Sequence, residues 1–122
     1  MSLNARNKGT KGERELAKWL YDNLGLVDLP QRNLEQVRSG GGDLLVPPFL
    51  YECKRVETLA LDAWWVQSVI AARKENLKPV VAFRQNKKNW EFLISADCIG
   101  LDKGYVRLTS RIFLQYAVKL YK

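Results

Sequence analysis

Asp43-Leu44-Leu45-Val46-Pro47-Pro48-Phe49-Leu50-Tyr51-Glu52-Cys53-Lys54-Arg55-Val56 is the stretch on which the fold turns. Its two apolar runs are separated by a proline pair that cannot donate to a strand ladder, so the simple reading is a hairpin. Alternate residues of a strand share a face, which groups Glu52 and Lys54 with Leu50 and Val56. A four-residue connection from Val46 to Phe49 sets Asp43 opposite Glu52, and directly paired side chains lie about 5 Å apart, bridging distance for one cation. A slip of one residue would undo that alignment, and prolines cannot take the positive φ of the tightest hairpin turns. Taken alone, Glu52 and Lys54 read as an ordinary same-face ion pair. Taken with other acids aimed at the same core surface, they point to a metal or a reaction, because buried charge is costly unless compensated.

A further acid comes from upstream. In Gly12-Glu13-Arg14-Glu15-Leu16-Ala17-Lys18-Trp19-Leu20-Tyr21-Asp22-Asn23-Leu24 the apolar residues recur at helical spacing, and the helix is expected from about Lys11 to Leu24. At about 100° per residue, Glu13 falls within the stripe of Leu16, Ala17, Leu20 and Leu24, while Glu15 falls on the opposite, solvent-facing side. The competing reading makes Glu13 a first-turn acid favoured by the helix dipole.

The succession Gly9-x-x-x-Glu13-Arg14-Glu15-Leu16, Val37-Arg38-Ser39-Gly40-Gly41-Gly42-Asp43 and Glu52-x-Lys54 resembles the PD-(D/E)xK nuclease superfamily and, within it, the archaeal-type Holliday junction resolvases. The similarity continues through Trp64, Trp65 and Gln67, Pro79-Val80-Val81-Ala82-Phe83 and Trp90-Glu91-Phe92. Gly42 stands where the motif's name has a proline, and the stretch from about Lys103 onward has no counterpart. The resemblance implies an α/β fold with a restriction-endonuclease-like core, a central mixed β-sheet flanked by α-helices. It also implies a homodimer.

Composition agrees with a single nuclease domain over residues 1–122. A chain of this size buries roughly two thirds of its unfolded surface, so its core needs no staples. Cys53 and Cys98 are too few for a disulfide framework and form no C-x-x-C pair, so reduced thiols in a cytoplasmic protein are expected, in a prokaryotic or virus-infected cell. No signal-peptide pattern or membrane-length apolar run is present. The chain has no histidine, which excludes histidine-dependent nucleases, Ser-His-Asp hydrolases and histidine-ligated zinc. Carboxylate, carbonyl and water ligands remain, and these suit Mg²⁺, with Mn²⁺ as substitute.

The formal net charge of +7 and pI near 9.6 point to a polyanionic partner. Position strengthens this over a merely solvated surface. Arg6, Lys8, Lys11 and Arg14 gather around helix one, Arg38 precedes the glycine loop, Arg55 adjoins Lys54, and Arg84, Lys87 and Lys88 surround a later turn.

The remaining elements read as a strand from Leu34 to Arg38, a helix from about Leu61 to Asn76, and strands from Pro79 to Arg84 and Trp90 to Ser95. Trp64 and Trp65 are expected to pack rather than stack on bases. From Ser110 to Tyr121 a helix is expected, capped by Ser110 and apolar around most of its circumference. The segment from about 103 to 122 is thus a packing or dimerisation element, and a twofold contact is preferred because a four-way junction needs two symmetric cuts.

The expected mechanism assigns one or two Mg²⁺ ions to Asp43, Glu52 and the backbone carbonyl of Cys53, with Glu13 joining directly or through water, to polarise the phosphate and activate water. Lys54 would orient or activate the attacking water and stabilise developing charge. Lys8, Lys11, Arg14, Arg38, Ser39 and Arg55 would contact DNA, and the Gly40–Gly42 loop would let backbone approach it. The expected activity is resolution of branched, four-way DNA by paired symmetric phosphodiester hydrolysis. The alternatives are a nuclease for another DNA structure or sequence, and an inactive junction-binding module.

Overall fold

The structure, a computed structural model, describes residues 3–32 and 44–121. The expected strand at 34–38, the glycine loop with Arg38 and Ser39, and Asp43 lie outside the described residues.

The order of elements is α1 (Leu3–Leu24), β1 (Gln31–Arg32), β2 (Leu44–Val46), β3 (Phe49–Arg55), α2 (Leu61–Lys74), β4 (Lys78–Arg84), β5 (Glu91–Ser95), a 3₁₀ turn (Ala96–Ile99), β6 (Tyr105–Thr109) and α3 (Ser110–Tyr121). Among the described residues, six strands form one mixed sheet in chain order, β1 through β6. β3 and β4 are parallel, joined by the α2 crossover, and the other neighbours are antiparallel.

Period-2 alternation divides the core into two faces. Phe49 and Tyr51 of β3, Val80 and Ala82 of β4 and Phe92 and Ile94 of β5 pack with Leu16, Leu20 and Leu24 of α1 and Phe113 and Ala117 of α3. On the other face Val81, Phe83 and Leu93 meet Trp64 and Trp65 of α2, while Leu50 meets Ala71 and Ala72. Trp64 lies 5.7 Å from the Phe83 ring and Trp65 5.6 Å from that of Tyr105, so both indoles are packing groups as expected.

The hairpin takes the anticipated register, with Val46 opposite Phe49, Leu45 opposite Leu50 and Leu44 opposite Tyr51. Pro47 and Pro48 form its turn.

Three expectations change. Helix α1 begins at Leu3 rather than Lys11 and continues through Gly9 and Gly12, although glycine costs about 1 kcal/mol relative to alanine inside a helix. The apolar stripe starts only after Gly12, so periodicity offered no signal for the earlier turns. Glu13 therefore sits well inside the helix, and the first-turn reading of this acid is removed.

Strand β6 was not anticipated. Val106 and Leu108 pack against the core while Arg107 and Thr109 are exposed, a half-buried alternation too short to stand out beside the apolar helix that follows.

The cap of α3 is also one residue earlier than expected. Thr109 Oγ1 accepts from the Ile112 amide at 3.3 Å, whereas the Ser110 hydroxyl donates to the Trp90 carbonyl. One face of α3 belongs to the core: Phe113 stacks on Phe92 with ring centroids 3.9 Å apart, and Ala117 is fully buried.

Candidate active site at the end of strand β3

A strand that emerges from the middle of a sheet carries its last side chains from the core toward the surface. The burial of β3 follows that course, complete at Phe49 through Glu52 and partial at Cys53, Lys54 and Arg55. Glu52 follows Leu50 on the face covered by α2, and its carboxylate is held in the core at 7% exposure. Lys54 follows on the same face, as strand alternation requires. Its Nζ lies 3.7 Å from Glu52 Oε1 and donates to Gln67 Oε1 of α2 at 3.3 Å. The amine is thus fixed between a carboxylate and an amide oxygen, with less than a quarter of the side chain exposed.

Residues 51, 53 and 55 point to the opposite face, toward α1. Gly12 marks a close approach of that helix: a Cβ there would stand 2.7 Å from Arg55 Cβ and 3.7 Å from Cys53 Sγ. Only glycine lets the backbones come so near. The next residue, Glu13, is 8% exposed. Among the described residues, Glu13 and Glu52 are the two buried charged side chains. Both were singled out by sequence pattern alone, and buried carboxylates demand compensation.

Glu15 departs from expectation. Rather than facing solvent it is partly buried, with Oε2 at 3.4 Å from both Arg55 Nε and Arg84 Nη1. Helical phase placed it away from the apolar stripe, but the long arginines at the ends of β3 and β4 reach around the helix to meet it. Arg55 Nη1 also donates to the Arg84 carbonyl at 3.4 Å, and its side chain is only 14% exposed. Arg55 therefore has a partner within the protein, and Lys11 and Arg14 are exposed.

Gln67 was visible in sequence only as a residue shared with the resembled family, without a role. Its contact with Lys54 depends on how α2 lies across β3, which no local pattern reports. Lys87 and Lys88 are exposed on the β4–β5 turn. That turn is tied down by Glu57, whose carboxylate accepts from the Asn86 amide at 2.7 and 2.9 Å, and by Arg84 Nε, which donates to the Lys88 carbonyl at 2.7 Å.

Among the described residues no group of three or more Asp, Glu, Cys or His side chains is close enough to hold a metal. By type, the carboxylates of Glu13 and Glu52 and the Cys53 carbonyl are hard oxygen donors, which would suit Mg²⁺ or Mn²⁺ better than zinc. No helix among the described residues is long and apolar enough to cross a membrane.

The family model described as "Phage putative PDDEXK endonuclease" matches residues 4–119 of this chain. Among solved structures, the chain is similar to Hjc of Archaeoglobus fulgidus, a Holliday junction resolvase from an archaeal hyperthermophile. That likeness has a TM-score of 0.52 at 20% identity and covers 87% of each chain. No curated protein matches at a significant level. The fold is the restriction-endonuclease-like α/β core anticipated from the sequence.

Proposed function

Since this chain belongs to the PDDEXK endonuclease family, we propose that it is a divalent-metal-dependent endodeoxyribonuclease that resolves four-way DNA junctions by paired symmetric phosphodiester hydrolysis. The observation that carries the nuclease reading is the burial of Glu52 at the end of β3 with the Lys54 amine 3.7 Å away; a second buried acid, Glu13, stands on α1. Shared architecture with a Holliday junction resolvase favours the branched substrate over other DNA, and the basic surface suits recognition of backbone and shape.

In this reading Asp43, Glu52 and the Cys53 carbonyl hold Mg²⁺, with Glu13 joining directly or through water. What supports the pairing is that the described β2–β3 ladder, with Leu44 opposite Tyr51, has the register assumed for it from the sequence. When bound, the metal polarises the scissile phosphate and makes water a competent nucleophile at neutral pH. Lys54, steadied by Gln67, orients that water and offsets charge developing on the phosphate oxygens. Lys8, Lys11, Arg14, Arg38 and Ser39 hold flanking phosphates. Arg55 acts at closer quarters, bordering the site while paired with Glu15.

Two symmetric cuts need two sites, which a twofold dimer supplies. Helix α3 offers a surface for it. Ile112 and Leu120 are more than two-fifths exposed, and Leu114 and Val118 line an open depression beside them. The place of action is the cytoplasm of a prokaryotic or virus-infected cell.

The test is cleavage of a labelled four-way junction alongside linear duplex and flap DNA. Paired nicks confined to the junction uphold the proposal, and equal cutting of every substrate leaves a nuclease without junction specificity. Binding without cutting leaves a DNA-binding module.

A further inference from the structure

We infer that Glu15 is a positioning residue: with Gly12 it clamps Arg55, and the clamp sets how Glu13 on α1 stands relative to Glu52 and Lys54 on β3. The inference rests on the nuclease reading, but its evidence is geometric. Gly12 and Glu15 are three residues apart on a helix and so occupy neighbouring positions on its surface. Arg55 runs across both. Its Cβ and Cγ are the atoms that a Cβ at position 12 would meet, at 2.7 and 3.3 Å, and its Nε lies 3.4 Å from Glu15 Oε2.

The same Glu15 oxygen is 3.4 Å from Arg84 Nη1, and Arg84 is the partner of Arg55 in the β3–β4 ladder. One carboxylate on α1 thus gathers the ends of two adjacent parallel strands. Arg84 Nε continues the chain of contacts to the Lys88 carbonyl, joining the β4–β5 turn to the same point.

Stability does not explain the arrangement. The contacts sit at the long end of hydrogen-bonding distance, and Arg55, Glu15 and Arg84 keep 14%, 27% and 33% of their side chains exposed, so two such long pairs account for only a modest part of the stability. An acid beside a basic DNA-facing surface also opposes DNA binding electrostatically. What the contacts do fix is relative placement. Glu13 lies between Gly12 and Glu15 in sequence, and Lys54 immediately precedes Arg55, so a shift of α1 along or away from β3 moves Glu13 against the Glu52–Lys54 pair.

The test is Glu15→Gln, which keeps the shape and removes the charge, compared with Asp22→Asn on the same helix, where the acid pairs with exposed Lys18. Loss of a group that orients a site typically lowers activity or metal affinity about 10-fold or more. Glu15→Gln is expected to slow single-turnover cleavage by about that factor and to shift the Mg²⁺ requirement upward, with DNA affinity in EDTA unchanged or tighter. Asp22→Asn is expected to match wild type. A Glu15→Gln rate and Mg²⁺ dependence equal to wild type overturn the inference. If wild type itself cuts no DNA, the nuclease reading fails, and the clamp is judged by amide hydrogen exchange alone. Faster exchange across 12–16 and 53–56 in Glu15→Gln then upholds it, and unchanged exchange overturns it.

Discussion

Lys54 and Gln67 meet across two layers of the fold, the amine at the end of β3 donating to the amide oxygen on α2 at 3.3 Å. The contact holds Lys54 over Glu52 without adding charge, so its removal should loosen the lysine while leaving it cationic. Gln67→Ala is expected to lower single-turnover cleavage about 10-fold with little change in DNA affinity. Single-turnover kinetics alongside binding in EDTA check this.

Glu52→Gln removes a buried carboxylate and keeps its volume. Cleavage should fall on the order of 10²-fold or more, the scale seen when a preorganised charged group is taken from an active site. The substitution also takes the carboxylate partner from Lys54, 3.7 Å away and mostly buried, so the metal-free variant should melt below wild type. Thermal melts in EDTA and cleavage in Mg²⁺ give the two readings.

Gly12→Ala should destabilise the protein by about 1–3 kcal/mol, the usual cost of forcing a methyl group into a packed interface. The new Cβ would lie 2.7 Å from Arg55 Cβ, an atom fixed to the β3 backbone, so α1 must retreat from the strand. Urea denaturation measures the loss.

Phe113→Ala should cost about 3–5 kcal/mol, as expected for a buried aromatic. Phe113 is fully buried and stacked on Phe92, so this result would mark α3 as part of the core whatever else its exposed face binds. Chemical denaturation tests this directly.

High pH should unfold the protein through its buried phenols. Tyr121 donates to the Val46 carbonyl at 2.9 Å, leaving its oxygen to accept from Tyr51 at 3.1 Å. Burial, foremost, raises both hydroxyls above the ordinary tyrosine value, and the Tyr121 hydroxyl adds to the rise at Tyr51. The unfolded chain therefore releases these protons first. The stability they confer is complete below about pH 10 and is lost as pH rises through the folded values. Tyr121→Phe should flatten this alkaline decline, as read from denaturation midpoints between about pH 9 and 11.

The burial of Glu13 and Glu52 and the register of the hairpin were legible because they depend on local periodicity. The alternation around Glu52, the helical phase of Glu13 and the proline pair that ends β2 each act within a few residues, and register followed from the length of the turn. Contacts made by long side chains between elements were not legible. Helical phase sent Glu15 to solvent because it records the direction of Cβ and not the reach of Arg55 and Arg84. Gln67 depended on the lie of α2 across the sheet. β6 was hidden by its brevity and partial exposure, and the start of α1 by the absence of an apolar stripe before Gly12.

The most direct measurement is cleavage of a four-way DNA junction by wild type and Lys54→Ala, each with Mg²⁺ and with EDTA, with DNA binding recorded in parallel. The predicted result is cutting by wild type in Mg²⁺ alone, with Lys54→Ala binding the junction yet failing to cut it. Wild-type cutting that persists in EDTA, or undiminished cutting by Lys54→Ala, would contradict a metal-dependent nuclease centred on Glu52 and Lys54.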